Sequence, residues 1–251
     1  MGRDSAQGDI ETSCSVITCL QHRVSFFMKR PCVFKEQLLM HEYSIQTSVS
    51  GRYLIRSPLH SGSAPLFVGF HGYAQTAEDE LTLLCDIPGS ELWLCCSIEA
   101  LHPVYTSKGG FGASWMTSQY RDKRISENVH YVDAVIQQVK ELFPVTDRLC
   151  FHGFSQGCGM ACRAAILGSH SPSRLMMLGG DIPPELSMTM RVEEVHLARG
   201  DHDRFYTREQ FERDFARSNK VGVPCTGCLF TGDHGANKEY LSMAGDFLAK
   251  A

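Results

Sequence analysis

Apolar positions along the chain gather into short, almost wholly hydrophobic runs, separated by stretches with helical periodicity. The runs APLFVGF (64–70), LWLCCSI (92–98), RLCFHGF (148–154), RLMMLGG (174–180), VEEVHLARG (192–200) and CLFTG (228–232) read as strands buried on both faces. Between them TAEDELTLLCDI (76–87), SENVHYVDAVIQQVKELF (126–143), QGCGMACRAAILG (156–168), TREQFERDFARSN (207–219) and KEYLSMAGDFLAK (238–250) read as helices. Thr76 suits an N-cap, with acidic residues behind it in the first turn. Val129, Val132, Val135, Ile136 and Val139 form one apolar stripe on the second helix. Strands that alternate with helices specify a mostly parallel, doubly wound sheet covered on both faces, an α/β architecture whose ligands sit beyond the carboxyl ends of the strands.

The first forty residues break this order. Residues 1–39 show no sustained period of 2 or 3.6, and acidic residues with Gln21-His22-Arg23 interrupt any secretory signal. They read as a poorly ordered extension, with Met28 and Met40 as alternative natural starts, and residues 40–251 as the folded domain. HEYSIQTSVSGRYLIRSP (41–58) alternates apolar and polar residues around Ser50-Gly51, which predicts an N-terminal antiparallel hairpin.

Size and charge narrow the function classes. A chain of 251 residues holds one substantial domain, and a net charge of −4 offers no basic field for nucleic acid. No uncharged apolar run reaches the roughly 18–20 residues of a membrane span, so stable membrane insertion is not expected. Eleven cysteines are many for a chain this long. Cys95, Cys96, Cys150 and Cys228 lie inside apolar runs, where thiols act as small hydrophobes, and reduced thiols favour a cytoplasmic setting. Cys225 and Cys228 spell CxxC, but in a strand rather than at a helix start, and no second pair completes a zinc site.

The chemistry concentrates in Gly153-Phe154-Ser155-Gln156-Gly157, which follows an apolar strand and opens a helix. That is the context of a nucleophile elbow, where a sharp turn lifts the serine hydroxyl above the sheet. A serine hydroxyl needs a base, and this order requires an acid and then a histidine downstream. His196 lies within a strand and His202 in the acidic loop. His234, in Gly232-Asp233-His234-Gly235 after the last strand, is therefore the expected base. Gly200-Asp201-His202-Asp203 supplies the acid, with Asp203 preferred and Asp201 as the alternative. Two N–H donors must meet a developing oxyanion. Gln156 supplies one, and the loop His71-Gly72-Tyr73-Ala74-Gln75 the other, from Tyr73 or else Ala74. His71 and His152 are expected to be packed, hydrogen-bonded residues.

The set HGYAQ, SWMT, HGFSQG, GDHD and GDHG, over roughly residues 60–250, resembles the phospholipase/carboxylesterase family of α/β-hydrolases, which includes the acyl-protein thioesterases. The resemblance implies an α/β-hydrolase fold without a large lid domain. It also implies cofactor-free and metal-free cleavage of carboxylic esters or thioesters by Ser155, Asp203 and His234. It suggests that Trp115 and Ala74 belong to the substrate side, with packing as the other reading of Trp115. Two departures stand out: Ala74 where the family often has glycine, and Arg204-Phe205-Tyr206 where it usually has Val-Pro. The connection through Asp181-Ile182-Pro183-Pro184-Glu185 is too short for a large helical lid, which implies an open site for a small-molecule ester or thioester, covered in part by the loop from Tyr105 to Arg124. A homodimer stays open beside a monomer. A catalytically idle ligand-binding protein and a small serine peptidase are the competing functions.

Overall fold

The computed structural model describes residues 41–106, 109–186 and 191–250. The chain divides into Met1–Gln46 and Thr47–Ala251. Of the first unit, residues 41–46 are exposed and carry no regular secondary structure. The extension expected over 1–39 lies outside the described residues.

The second unit is built on a seven-stranded sheet. Its strands in chain order are β1 (Tyr53–Arg56), β2 (Ala64–Phe70), β3 (Leu94–Ile98), β6 (Val145–Phe154), β7 (Arg174–Leu178), β8 (Glu194–Gly200) and β9 (Cys225–Phe230), with β4 (His102–Tyr105) and β5 (Phe111–Ser114) forming a separate antiparallel pair. The spatial order is β1-β3-β2-β6-β7-β8-β9, and only β1 runs antiparallel to its neighbour. Helices cover the interior of the sheet, and β2, β3, β7 and β8 are buried on both faces for that reason, whereas β9, at the edge, leaves Leu229 exposed. This is the α/β-hydrolase fold.

Among the described residues five α-helices cover the two faces: α1 (Ala77–Asp86), α2 (Arg121–Leu142), α3 (Gln156–Leu167), α4 (Arg208–Lys220) and α5 (Lys238–Ala249). Val129, Val132, Val135, Ile136 and Val139 of α2 pack with α3 and with Phe211 of α4 in one apolar layer. Leu84 of α1 packs with Tyr240, Ala244 and Phe247 of α5 in the layer on the other face. Thr76 caps α1 and Thr207 caps α4, each in a reciprocal box with the residue three positions on, Asp79 and Gln210.

Two expectations are corrected. No hairpin forms around Ser50-Gly51: residues 41–52 carry no strand, and β1 pairs instead with β3, Tyr53 opposite Ile98. Gly51 marks a close approach rather than a turn, because a Cβ there would run into the ring of Tyr131, whose hydroxyl donates to the Arg52 carbonyl at 2.9 Å. In place of an unbroken loop from Tyr105 to Arg124 there is the end of the β4–β5 pair, followed by the start of α2 at Arg121.

The CxxC pair is resolved by strand geometry. On β9, residues three apart point to opposite faces. Cys225 packs against the layer of α2, α3 and α4, and Cys228 belongs to the layer of α1 and α5. Burial pushes the Cys225 thiol up to about 12 and raises that of Cys228.

Candidate active site

Ser155 follows β6 directly and stands at the N-cap position of α3 without capping it by its side chain, at φ 53° and ψ −118°. A non-glycine residue there stores on the order of 1–3 kcal/mol of strain, which its surroundings must impose. They do so by leaving no alternative path. A Cβ on Gly153 would come within 2.6 Å of the Gly157 carbonyl oxygen, and one on Gly157 would collide with the Phe70 carbonyl. The same crowding presses the first turn of α3 against the end of β2, where the loop 71–75 begins. A Cβ on Gly180, just beyond β7, would strike the Ser155 carbonyl.

The other two polar side chains arrive from the neighbouring strand ends. His234, in the loop after β9, accepts the Ser155 hydroxyl proton at Nε2 across 2.9 Å. Its Nδ1 donates to Asp203 Oδ2, in the loop after β8, across 2.8 Å. Because a carboxylate only accepts, that contact keeps the ring proton on Nδ1 and leaves Nε2 free to receive. Asp203 is held in turn: its Oδ1 accepts the Phe205 and Tyr206 N–H groups at 2.8 and 3.0 Å, and Arg199 donates to its carbonyl at 3.0 Å. Asp201 points elsewhere, accepting the Gly232 N–H at 2.9 Å and bracing the β8 and β9 loops together.

Ser155, Asp203 and His234 are thus brought together. Gly179, at φ 65°, makes the space, since a Cβ there would stand 3.2 Å from both Asp203 Oδ2 and the His234 ring. The rings of Phe154 and Phe205 flank His234 at centroid distances of 5.1 and 4.9 Å. Sequence reasoning named neither the Gly179-Gly180 pair nor Phe205 as a neighbour of the histidine. The double glycine directly after an apolar strand was the available signal.

The two amides expected to meet an oxyanion differ from the one held in reserve. The N–H groups of Tyr73 and Gln156 have no acceptor among the described residues, whereas Ala74 donates to the Ala113 carbonyl at 2.9 Å. Ala74 also sits at φ 60°, the left-handed region that glycine enters without steric cost. Gly112 lets β5 approach: a Cβ there would collide with the Ala74 carbonyl.

Trp115 is corrected to a packing residue. It is fully buried, packs at a tilt against the rings of Phe70 and His71, and donates from Nε1 to the His71 carbonyl at 2.9 Å. Its own N–H donates to Gln156 Oε1 at 2.9 Å, so the side chain of Gln156 clamps β5 while its amide stays open. The tryptophan therefore braces the loop 71–75 from beneath and offers no face to a ligand.

His71, His152 and His196 are structural, as their settings dictate. His71 accepts the Ala100 N–H at Nε2 and donates from Nδ1 to the Gly72 carbonyl at 2.7 Å, and burial lowers its pKa. His152 lies between Glu80 and Tyr240. His196 contacts Cys228 at 3.0 Å, and burial holds it down to about 4.

Above this constellation the described residues between β7 and β8 form no helix. Arg217 of α4 pins that connection by donating to the carbonyls of Ile182, Pro183 and Leu186. A groove of about 320 Å³ opens beside His234, lined by Gln75, Leu83, Phe154 and Ala236 among others.

No protein-family model matches the sequence, and no curated protein matches it. Solved structures do share the fold. Esterase PE8 superposes with a TM-score of 0.65 at 18% identity, over 80% of this chain and 99% of that one. The Bacillus cereus carboxylesterase gives 0.64 at 13% identity over 80% and 94%. Zea mays acyl-protein thioesterase 2 gives 0.61 at 17% over 80% and 99%.

Proposed function

We propose that the protein is a serine hydrolase that cleaves carboxylic esters or thioesters through an acyl-enzyme on Ser155. The observation that carries this reading is the unbroken hydrogen-bond relay from Asp203 through His234 to Ser155. His234 Nε2 takes the hydroxyl proton as Ser155 Oγ attacks the acyl carbon. Asp203 keeps the ring oriented and stabilises the imidazolium that forms. The oxyanion is met by the amides of Tyr73 and Gln156, the second of them at the N-terminus of α3, where the helix dipole favours negative charge. The imidazolium then protonates the departing alcohol or thiol, and water repeats the sequence to release the acid.

The likeness in fold to an esterase, a carboxylesterase and an acyl-protein thioesterase supports an acyl-bearing substrate. The short connection after β7 supports an open site and a small or medium-sized ligand. Phe205, exposed beside His234, is the apolar surface that a substrate meets first. Among the described residues no helix is long and apolar enough to cross a membrane, and all eight described cysteines are free thiols, which supports a reducing compartment such as the cytoplasm.

A panel of chromogenic esters and thioesters of increasing acyl length tests the reading. Turnover of at least the short-chain members, abolished in Ser155→Ala, is expected. A folded wild type that turns over none of them favours the idle ligand-binding protein instead.

A further inference from the structure

At the opposite end of the strands from Ser155, the β1–β3 edge holds a cluster that the proposed hydrolysis does not use. Arg56, the last residue of β1, stands opposite Cys95 in the ladder and reaches over to Cys85 in the last turn of α1. Its Nε lies 3.3 Å from Cys85 Sγ, and its Nη2 lies 3.0 Å from Cys95 Sγ. Its other partners are neutral: the carbonyls of Ser57, Ser90 and Trp93 and the Ser90 hydroxyl. Among the described residues no carboxylate pairs with it. A half-buried guanidinium with no counter-ion favours an anion beside it, and among the described residues the ionisable groups in contact with it are these two thiols.

Burial decides which of them carries the charge. Cys95 is fully buried, and the neighbouring Cys85 sulfur together with desolvation drives its thiol well up. Cys85 is exposed. The neighbouring Cys95 thiol, and after it the Arg56 guanidinium, bring it down to about 6 against the opposing pull of desolvation and a smaller one from Asp86. Glu91 is the other charge acting on the guanidinium. The buried Cys96, Cys150 and Cys162 are pushed the other way by desolvation, and Cys225 is up at about 12.

We propose that Cys85 and Cys95 form an oxidant-responsive dithiol, in which Cys85 is the thiolate that attacks a hydroperoxide and Cys95 is the thiol that resolves the product into a disulfide. The Cys85 sulfur attacks the terminal oxygen of the hydroperoxide. The O–O bond breaks, the hydroxyl stays on sulfur as a sulfenic acid, and the departing alkoxide leaves as the alcohol after taking a proton. The Cys95 sulfur then attacks the sulfenic sulfur: the S–S bond forms, the S–O bond breaks, and hydroxide departs as water with the Cys95 proton. The two thiols lose two electrons and the hydroperoxide gains them. The product fastens the end of α1 to β3, and reduction by a dithiol releases it.

The test uses the full chain, reduced and then exposed to substoichiometric hydrogen peroxide, blocked with iodoacetamide and digested for mass spectrometry. The peptide bearing Cys85 is expected joined to that bearing Cys95, with Cys225 still alkylated. Without peroxide, Cys85 is expected to alkylate at neutral pH roughly tenfold faster than Cys225. Arg56→Met removes that advantage. Cys95→Ser halts the reaction at a sulfenic acid on Cys85 that dimedone traps. Should Arg56→Met fail to fold, the wild-type pH profile decides: a Cys85 rate that levels off near neutrality supports the dithiol. A rate that climbs only above about pH 8, as for an ordinary thiol, overturns it. Equal labelling of Cys85 and Cys225, or peroxide products on Cys85 that never engage Cys95, overturns it as well.

Discussion

Asp203–His234–Ser155 and Glu80–His152–Tyr240 have the same chemical grammar: a carboxylate on Nδ1 of an imidazole and a hydroxyl on Nε2. The distances are 2.8 and 2.9 Å in the first and 2.6 and 2.8 Å in the second. His152 and Ser155 even lie three residues apart at the end of β6. What separates the two arrays is everything around them. The His234 side chain keeps 19% of its surface in solvent, whereas His152 and Glu80 keep 0% and 1%. Ser155 stands on a strained turn beside amides that lack acceptors, whereas Tyr240 is enclosed within α5. A relay alone is therefore only a way to connect elements. The buried one bolts α1, β6 and α5 together, and access, a projecting hydroxyl and open donors are what the rim adds.

That contrast can be broken most forcefully at the rim. His234→Ala and Asp203→Asn are each expected to lower kcat for ester hydrolysis by about 10⁴-fold or more while leaving the fold intact. Loss of only a few-fold in either would mean that the relay at the rim is as structural as the one beneath it. The interior array gives the opposite pattern. His152→Phe leaves the Glu80 carboxylate buried without its partner, at a cost of about 3–5 kcal/mol in urea unfolding. Its kcat should stay within a few-fold of the wild type wherever the variant is folded. A folded His152→Phe protein as inactive as His234→Ala would erase the distinction.

A smaller effect sharpens the comparison through pH. His196 is buried, and desolvation holds it at about 4 against an ordinary 6.5. As pH falls through 6.5 the unfolded chain takes up this proton while the folded chain does not until about 4. Stability is thus lost across that window, by up to about 3 kcal/mol. His196→Phe should flatten this loss when unfolding free energies are compared at neutral and at mildly acid pH. An unchanged acid slope would show that other groups set it.

The sheet and its helices were legible because burial on both faces writes strands as unbroken apolar runs, and α2 declares itself by one valine stripe. The turn at Ser155 was legible because Gly153 and Gly157 are positions where a side chain has no room. The choice between Asp203 and Asp201 was not, since both lie in one loop and only its folding turns Asp201 toward Gly232. Trp115 was misplaced because a sequence gives a tryptophan's proximity to a site but not which way its ring faces. The alternation over 41–58 suggested a hairpin, yet alternation forms a strand only where a partner edge exists: residues 41–52 find none, and β1 finds that edge in β3. Glu80, His152 and Tyr240 are 72 and 88 residues apart in their two contacts. No local pattern announces such a network.

We propose that Ser155 is a nucleophile activated by His234. Incubating the folded protein with a fluorophosphonate and mapping the adduct by mass spectrometry tests it most directly. One phosphonylated residue is expected, Ser155, with labelling absent in Ser155→Ala and strongly slowed in His234→Ala. A folded wild type that stays unlabelled, or an adduct on another side chain that persists in Ser155→Ala, would contradict it.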